Sequence, residues 1–370
     1  MVSSKASLQQ KLKKLIYKFN IYGDFIVGIP FGNGHVNDTF LLNFDQGGVR
    51  LNYVLQRING DVFREPVKVM ENVDRVTQHI LTKIRKSHSE TQKRTIRLLR
   101  TPDNKPYAFD DDGNCWRAYI YIERARAYDV LESPEQAFGI ARAFGEFQQQ
   151  LIDLPGERLH DTIPDFHNTP KRIEQLEEAI KADVADRVKN AQKEIDFVLS
   201  RAEAAAALVK LNQSGDIPER ITHNDTKSNN ILIDDLTGEG ICVIDLDTVM
   251  PGLSLYDFGD MVRTCTSPAE EDETNLSKVF MRFDMYEALF TGFCESAGAF
   301  MTAAERENLA NAGKIITLEI GTRFLTDYLS GDTYFKIKRA NHNLERCRSQ
   351  LKLVSSIEEQ MNDMLNLLKD

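Results

Sequence analysis

The stretch ITHNDTKSNNILIDDLTGEGICVIDLDT, residues 221–248, carries the run His223-x-Asp225-x-x-x-x-Asn230. A short apolar strand, ILI, follows; the turn DDLTGEG then leads into a second apolar strand, ICVI, which runs up to Asp245. Three Asp and Asn groups are thereby placed around two short strands. Phosphoryl transfer from ATP requires a carboxylate beside the incoming hydroxyl and a hard oxygen cage for Mg2+, because the protein's work is positioning and charge neutralisation. The pattern assigns Asp225 to orient and deprotonate the acceptor, and Asn230 and Asp245 to hold the metal. An acidic hairpin whose Asp and Asn residues serve only turns and caps would explain a lone H-x-D, but not the whole spaced set.

Two residues nearby take supporting roles. Asp257-Phe258-Gly259 spells the magnesium-binding tripeptide of protein kinases, yet it follows the turn Pro251-Gly252 and not the apolar strand. Asp245 suits the metal better, and Asp257 is expected to cap the next helix or to tie down the backbone of the catalytic loop. His223 is expected to brace that loop by hydrogen bonding and not to act as the base.

Upstream, FIVGIPFGNGHVNDTFLLNF (25–44) reads as strand, glycine-bearing turn and strand, and LNYVLQRI (51–58) as a third strand. Pro66 suits the first turn of a helix whose apolar face is Val69, Val73, Val76, Ile80 and Ile84. RTIRLLRT (94–101) and PYAFDDDGNCWRAYIYIE (106–123) complete a small sheet, with a hairpin tip at Asp111–Asn114. Residues 1–122 form an N-terminal lobe of about five strands and one helix, preceded by a short amphipathic helix. From 123 to 370 the pattern turns helical, opening with a capping box at Ser133-Pro134-x-Gln136 and a buried stripe of Phe138, Ala141, Phe144, Phe147 and Leu151. The fold class is α+β, with a small antiparallel sheet lobe against a larger, mainly helical one.

The 370 residues, 42% of them hydrophobic, suffice for two lobes, and the formal charge of −10 supplies no general field for a polyanion, so nucleic acid is not an expected partner. Nucleotides are not excluded, because backbone amides, one cation and bound magnesium neutralise phosphates locally. Cys115, Cys242, Cys265, Cys294 and Cys347 are odd in number and widely spaced, which argues for reduced thiols over disulfides or zinc. Neither a secretory signal nor a membrane span is evident, so the expected setting is cytoplasmic.

HNDTKSNN with VIDLDT resembles the aminoglycoside phosphotransferase-like kinases, a protein-kinase-like superfamily that includes choline, homoserine and methylthioribose kinases. Within it, FGNGHVNDTF, YVLQRING, THNDTKSNNILID, VIDLDTVMPGLSLYDFGDMVRT and TRFLTDYLSGDTYF resemble the N-acetylhexosamine 1-kinases and run from residue 31 to 335. The resemblance implies ATP and Mg2+ as cofactors, and N-acetylglucosamine or N-acetylgalactosamine as acceptor, phosphorylated to the α-1-phosphate. The alternative is a kinase of the same fold acting on choline, homoserine, methylthioribose or an aminoglycoside. The expected partners are ATP and a small sugar, with the chain a monomer or weak homo-oligomer and no membrane association.

Further positions follow from the resemblance. Gly32, Asn33 and Gly34 are placed over the phosphates, where glycine lets backbone amides approach, although an ordinary hairpin has the same signature. His35 matches a sugar-facing residue; a surface histidine is the alternative. The third strand carries Gln56-Arg57 where kinases carry a phosphate-binding lysine, so Arg57 is the expected cation, paired with Glu71 on the following helix, or else a solvated strand arginine. Tyr119 to Glu123 is the expected crossover between lobes, with Tyr121 and Ile122 against adenine. Thr248, Arg323 and Tyr334 are implied near the sugar, Arg323 competing with a surface pairing to Asp327 at i+4 and Tyr334 with core packing.

Overall fold

A computed structural model describes residues 2–32, 36–87, 94–128 and 130–369. Five strands make the N-terminal sheet: β1 (Asp24–Pro30), β2 (Asp38–Gln46), β3 (Val49–Arg57), β4 (Ala108–Phe109) and β5 (Cys115–Ile120), in the order β1-β2-β3-β5-β4 and antiparallel throughout. RTIRLLRT does not become a strand. It runs beside β5 with one bridge, Leu98 to Tyr119, and bonds from Leu99 N to the Ala118 carbonyl and from Ile120 N to the Arg97 carbonyl.

Helix α1 (Val2–Ile16) buries Leu12, Leu15 and Ile16 on one face of this sheet, together with Leu42, Phe44, Tyr53 and Trp116. Helix α2 (Pro66–Ser87) covers the other. Val69, Val73, Val76 and Ile80 are buried, as the 3.6-residue spacing requires, and they pack with Phe147, Leu246 and Val249 of the C-terminal half. This shared core seats the two halves against each other. Asn72 of α2 adds bonds to the carbonyls of His160 at 2.8 Å and Val249 at 3.1 Å.

The C-terminal half is helical. Its long helices are α3 (Pro134–Leu151), α4 (Thr169–Ala182), α5 (Ser254–Cys265), α6 (Phe283–Ala297), α7 (Leu309–Leu329) and α8 (His342–Glu359), with shorter helices between them. Ser133 caps α3, its hydroxyl accepting from Gln136 N. Gln136 reaches back one residue further than a capping box requires, to Glu132 N. Gly259 lets α5 lie against α7, since an added Cβ would stand 2.5 Å from the Ala312 carbonyl oxygen. Among these helices sit five short strands: β6 (Ala125–Arg126), β7 (Arg220–Thr222), β8 (Ile231–Asp234), β9 (Gly240–Val243) and β10 (Met250–Gly252). They pair as β6-β8-β9 and as β10-β7. No helix among the described residues is long and apolar enough to cross a membrane.

Candidate active site

The β8–β9 hairpin fixes the geometry. Ile231 pairs with Val243, and Ile244 N donates to the Asn230 carbonyl at 2.9 Å, so Asn230 at the start of one strand lies beside the residues that follow the other. Asp245 comes next, in a left-handed conformation (φ 56°, ψ 56°) that turns the chain out of the strand and opens its carboxylate to the cleft. No hydrogen-bond donor engages that carboxylate among the described residues.

Asp225 is brought to the same place by the loop after β7. Asn230 Nδ2 donates to the Asp225 carbonyl at 2.7 Å and lies 3.3 Å from Asp225 Oδ2, which leaves the Asn230 amide oxygen without a donor among the described residues. His223 ties this loop to the end of β9. Its Nδ1 accepts from Asp225 N at 3.3 Å, so the proton sits on Nε2, which donates to the Ile244 carbonyl at 2.9 Å. Phe144 and Phe147 pack edge-on against the ring.

Asp257 anchors the loop from below. Fully buried in the first turn of α5, its carboxylate accepts from His223 N at 3.0 Å, Asn224 N at 2.7 Å and Gln148 Nε2 at 2.6 Å, while its carbonyl accepts from Thr226 Oγ1 at 2.6 Å. On the far side, His167 Nε2 bonds to the Asn224 carbonyl at 2.9 Å and its Nδ1 to Glu319 Oε1 at 2.8 Å.

The two central carboxylates titrate differently. Burial opposes ionisation of Asp225, but Lys227, 3.2 Å from Oδ1, overcomes it and holds the carboxyl below its ordinary range. Asp245 is pushed up to about 6, because the surrounding protein limits the solvation of its charged form and the neighbouring Asp247 and Asp225 charges oppose its ionisation. An unneutralised carboxylate beside a free amide oxygen fits Mg2+, a hard cation that takes one or two protein oxygens and completes its shell with water and phosphates.

Arg57, the cation expected at the phosphates, pairs with a neighbouring strand and not with Glu71. Arg57 lies in register with Asp38 on β2 and ion-pairs with it at 2.5 Å, also reaching Asn114 at 3.3 Å. Glu71 is exposed and bonds to His160 at 2.7 Å, so the Arg57–Glu71 pair does not form. The neighbour of Arg57, Gln56, faces inward and accepts from Arg117 of β5, a buried arginine that sequence reading passed over. Arg117 pairs in turn with buried Asp247, two residues after Asp245.

Of the turn expected over the phosphates, Gly32 is described, with φ +80° and open space where a side chain would be. Asn33, Gly34 and His35 lie outside the described residues. Tyr121 packs edge-on to Phe31 at 5.8 Å, and its N donates to the Asn52 carbonyl; Ile122 joins the interlobe core.

Thr248 is buried, its hydroxyl without a partner among the described residues and its carbonyl accepting from Asn224 Nδ2 at 2.9 Å. Arg323, one helical turn beyond Glu319 on α7, does not pair with Asp327. That carboxylate accepts instead from the backbone N–H groups of Thr333, Tyr334 and Phe335. The folded-back loop sets Phe335 and exposed Tyr334 beside the Arg323 guanidinium, at 5.6 and 5.9 Å, with Phe166 at 5.3 Å. Arg323 makes no ion pair among the described residues. A second guanidinium, that of Arg172, stands close enough for burial and Arg323 together to lower its pKa; its Nη groups donate to Gln175 Oε1 and to the Asp165 and Phe166 carbonyls, and its Nε is buried without a partner among the described residues.

The chain belongs to the phosphotransferase enzyme family, whose model matches residues 27–277. Solved structures share the fold across nearly their full length. A microcompartment-associated aminopropanol kinase is 13% identical, covering 98% of this chain and 99% of its own, with a TM-score of 0.58. An aminoglycoside phosphotransferase from Alicyclobacillus acidocaldarius is 13% identical, with coverages of 95% and 96% and a TM-score of 0.59. A spectinomycin phosphotransferase, solved with ADP and spectinomycin, is 14% identical, with coverages of 96% and 98% and a TM-score of 0.55.

Proposed function

We propose that this phosphotransferase moves the γ-phosphoryl group of ATP to the anomeric hydroxyl of an N-acetylhexosamine, N-acetylglucosamine or N-acetylgalactosamine, giving ADP and the α-1-phosphate. Asp225, ionised at neutral pH, accepts the hydroxyl proton as the sugar oxygen bonds to phosphorus and the bond to the ADP oxygen breaks. The anomeric hydroxyl is more acidic than an ordinary sugar alcohol, so a carboxylate suffices as base. Lys227 brings positive charge to the same point. Asn230 and Asp245 are the residues to hold Mg2+, which neutralises charge on the phosphates when bound. His223 and Asp257 keep the loop in place, and Tyr121 and Ile122 flank the adenine.

The observation that carries the acceptor assignment is the pair of arginines, Arg323 and Arg172, among Phe166, Tyr334 and Phe335. Two guanidinium groups repel an amine or quaternary ammonium acceptor, whereas a neutral sugar offers hydroxyls and an acetamide oxygen to the free N–H donors of Arg323 and an apolar face to the rings. The unpartnered Thr248 hydroxyl suits a second sugar contact. The same arginines would also suit a carboxylate-bearing acceptor such as homoserine. Incubation with MgATP and a panel of acetamido sugars, plain hexoses, homoserine, choline and aminoglycosides, followed by NMR of the product, separates these readings. Phosphate at C1 of an acetamido sugar is expected; a phosphorylated primary alcohol or amino-alcohol alone overturns the assignment. Asp225→Ala should lower turnover by about 100-fold or more with folding unchanged.

A further inference from the structure

We propose that Arg117, Asp247 and Asn37 form a latch across the two lobes that aligns Asp245 with the phosphates of the bound nucleotide. The inference rests on the phosphotransfer reading of the site, not on the identity of the acceptor.

Asp247 lies on the single turn Leu246–Thr248 that directly follows Asp245, and it is 2% exposed. Both of its carboxylate oxygens are held by the other lobe. Oδ1 accepts from Arg117 Nη1 on β5, and Oδ2 accepts from Asn37 Nδ2 at 2.6 Å, where the chain leaves the glycine-bearing turn for β2. Each donor is itself fixed. Arg117 Nε and Nη2 both donate to Gln56 Oε1 at 2.8 and 2.6 Å, and Gln56 Nε2 donates to Thr39 Oγ1 at 2.9 Å. Asn37 Oδ1 accepts from Asn59 N at 2.9 Å, and Asn59 Nδ2 donates to the Val36 carbonyl at 3.0 Å. The network therefore joins β2, β3 and β5 to the residue two places past the metal candidate.

A buried ion pair is a poor way to gain stability, since an apolar pair of similar volume usually does as well. Its value here is directional. A carboxylate with one oxygen on each of two N-lobe donors fixes the rotation of its own turn, and with it the direction in which Asp245 points. No lysine occupies the equivalent place on β3, and Arg57 is committed to Asp38 on the opposite face of that strand. This network, with the Asn72 bond to the Val249 carbonyl, aligns the lobes beside Asp245.

Isothermal titration calorimetry with MgADP and with adenosine, on the wild type, Asn37→Ala and the apolar double variant Arg117→Met/Asp247→Leu, tests the latch without any acceptor. Asn37 is partly exposed, so its variant is expected to fold even if the double variant does not; thermal melts establish this for each. The double variant should bind MgADP roughly 10-fold more weakly and Asn37→Ala a few-fold more weakly, with adenosine affinity unchanged, because the latch touches only the phosphate end. Folded variants that bind MgADP within about twofold of wild type, or that lose adenosine in equal proportion, overturn it. A wild-type protein that binds no MgADP brings down the phosphotransfer reading at the first titration, and the inference with it.

Discussion

Substituting Asp257 with asparagine keeps the shape of the side chain and removes its charge. The carboxylate has one oxygen on Asn224 N and the other on both His223 N and Gln148 Nε2, all fully buried. An amide has one acceptor oxygen, so in either orientation its NH2 group faces at least one N–H donor. The best orientation leaves Asn224 N unpaired, a loss of about 1–3 kcal/mol, and turns two charge-assisted bonds into neutral ones, worth roughly 1 kcal/mol more. Relief of carboxylate burial, which already pushes the Asp257 pKa up, offsets part of this. The expected net loss is about 1–3 kcal/mol in urea unfolding at neutral pH, well inside the ~5–15 kcal/mol of a typical domain, so the variant folds. Asn224 precedes Asp225, and freeing its backbone should also lower kcat by roughly 10-fold with little change in acceptor KM. A midpoint shift worth less than about 0.5 kcal/mol, or an unchanged kcat, would show that Asp257 does not anchor the loop.

Asp245→Asn should raise the Mg2+ concentration needed for half-maximal activity by about 10-fold or more, and an unchanged titration would remove Asp245 from the metal assignment. Gly259→Ala drives a methyl group to 2.5 Å from the Ala312 carbonyl oxygen and 2.7 Å from Ile316 Cγ1, so it should cost about 1–3 kcal/mol by urea unfolding; a stabilised variant would mean that α5 and α7 are not so closely packed. In the His167–Glu319 pair, burial disfavours both charges, yet each partner overcomes it, raising His167 above 6.5 and lowering Glu319 below 4.5. The His167 contribution is complete below 6.5 and lost as pH rises through its raised pKa, while that of Glu319 is complete above 4.5 and lost as pH falls through its lowered one. The difference in melting temperature between wild type and His167→Gln should therefore be largest from about pH 4.5 to 6.5 and shrink on the alkaline side; parallel curves would refute the pairing.

What the chain alone determined is whatever depends on near neighbours. The spacing of Asp225 and Asn230, the strands flanking the turn before Asp245, and the stripe of Val69, Val73, Val76 and Ile80 are short-range patterns, and hairpin and helix geometry carry them into space unchanged. Tertiary structure decided the rest. Strand side chains alternate faces, so Arg57 and Gln56 point oppositely, and only the pairing of β3 with β2 and β5 shows that Asp38 claims the first while Arg117 meets the second. Arg117 and Asp247 are remote in sequence, and no local periodicity links them. Asp327 illustrates the same limit: four residues from Arg323 on one helix, it is taken by the backbone of a returning loop, which leaves Arg323 free among aromatic rings. A charged side chain pairs with the strongest donors the fold delivers to it, and those are set by which surfaces the two lobes bury together.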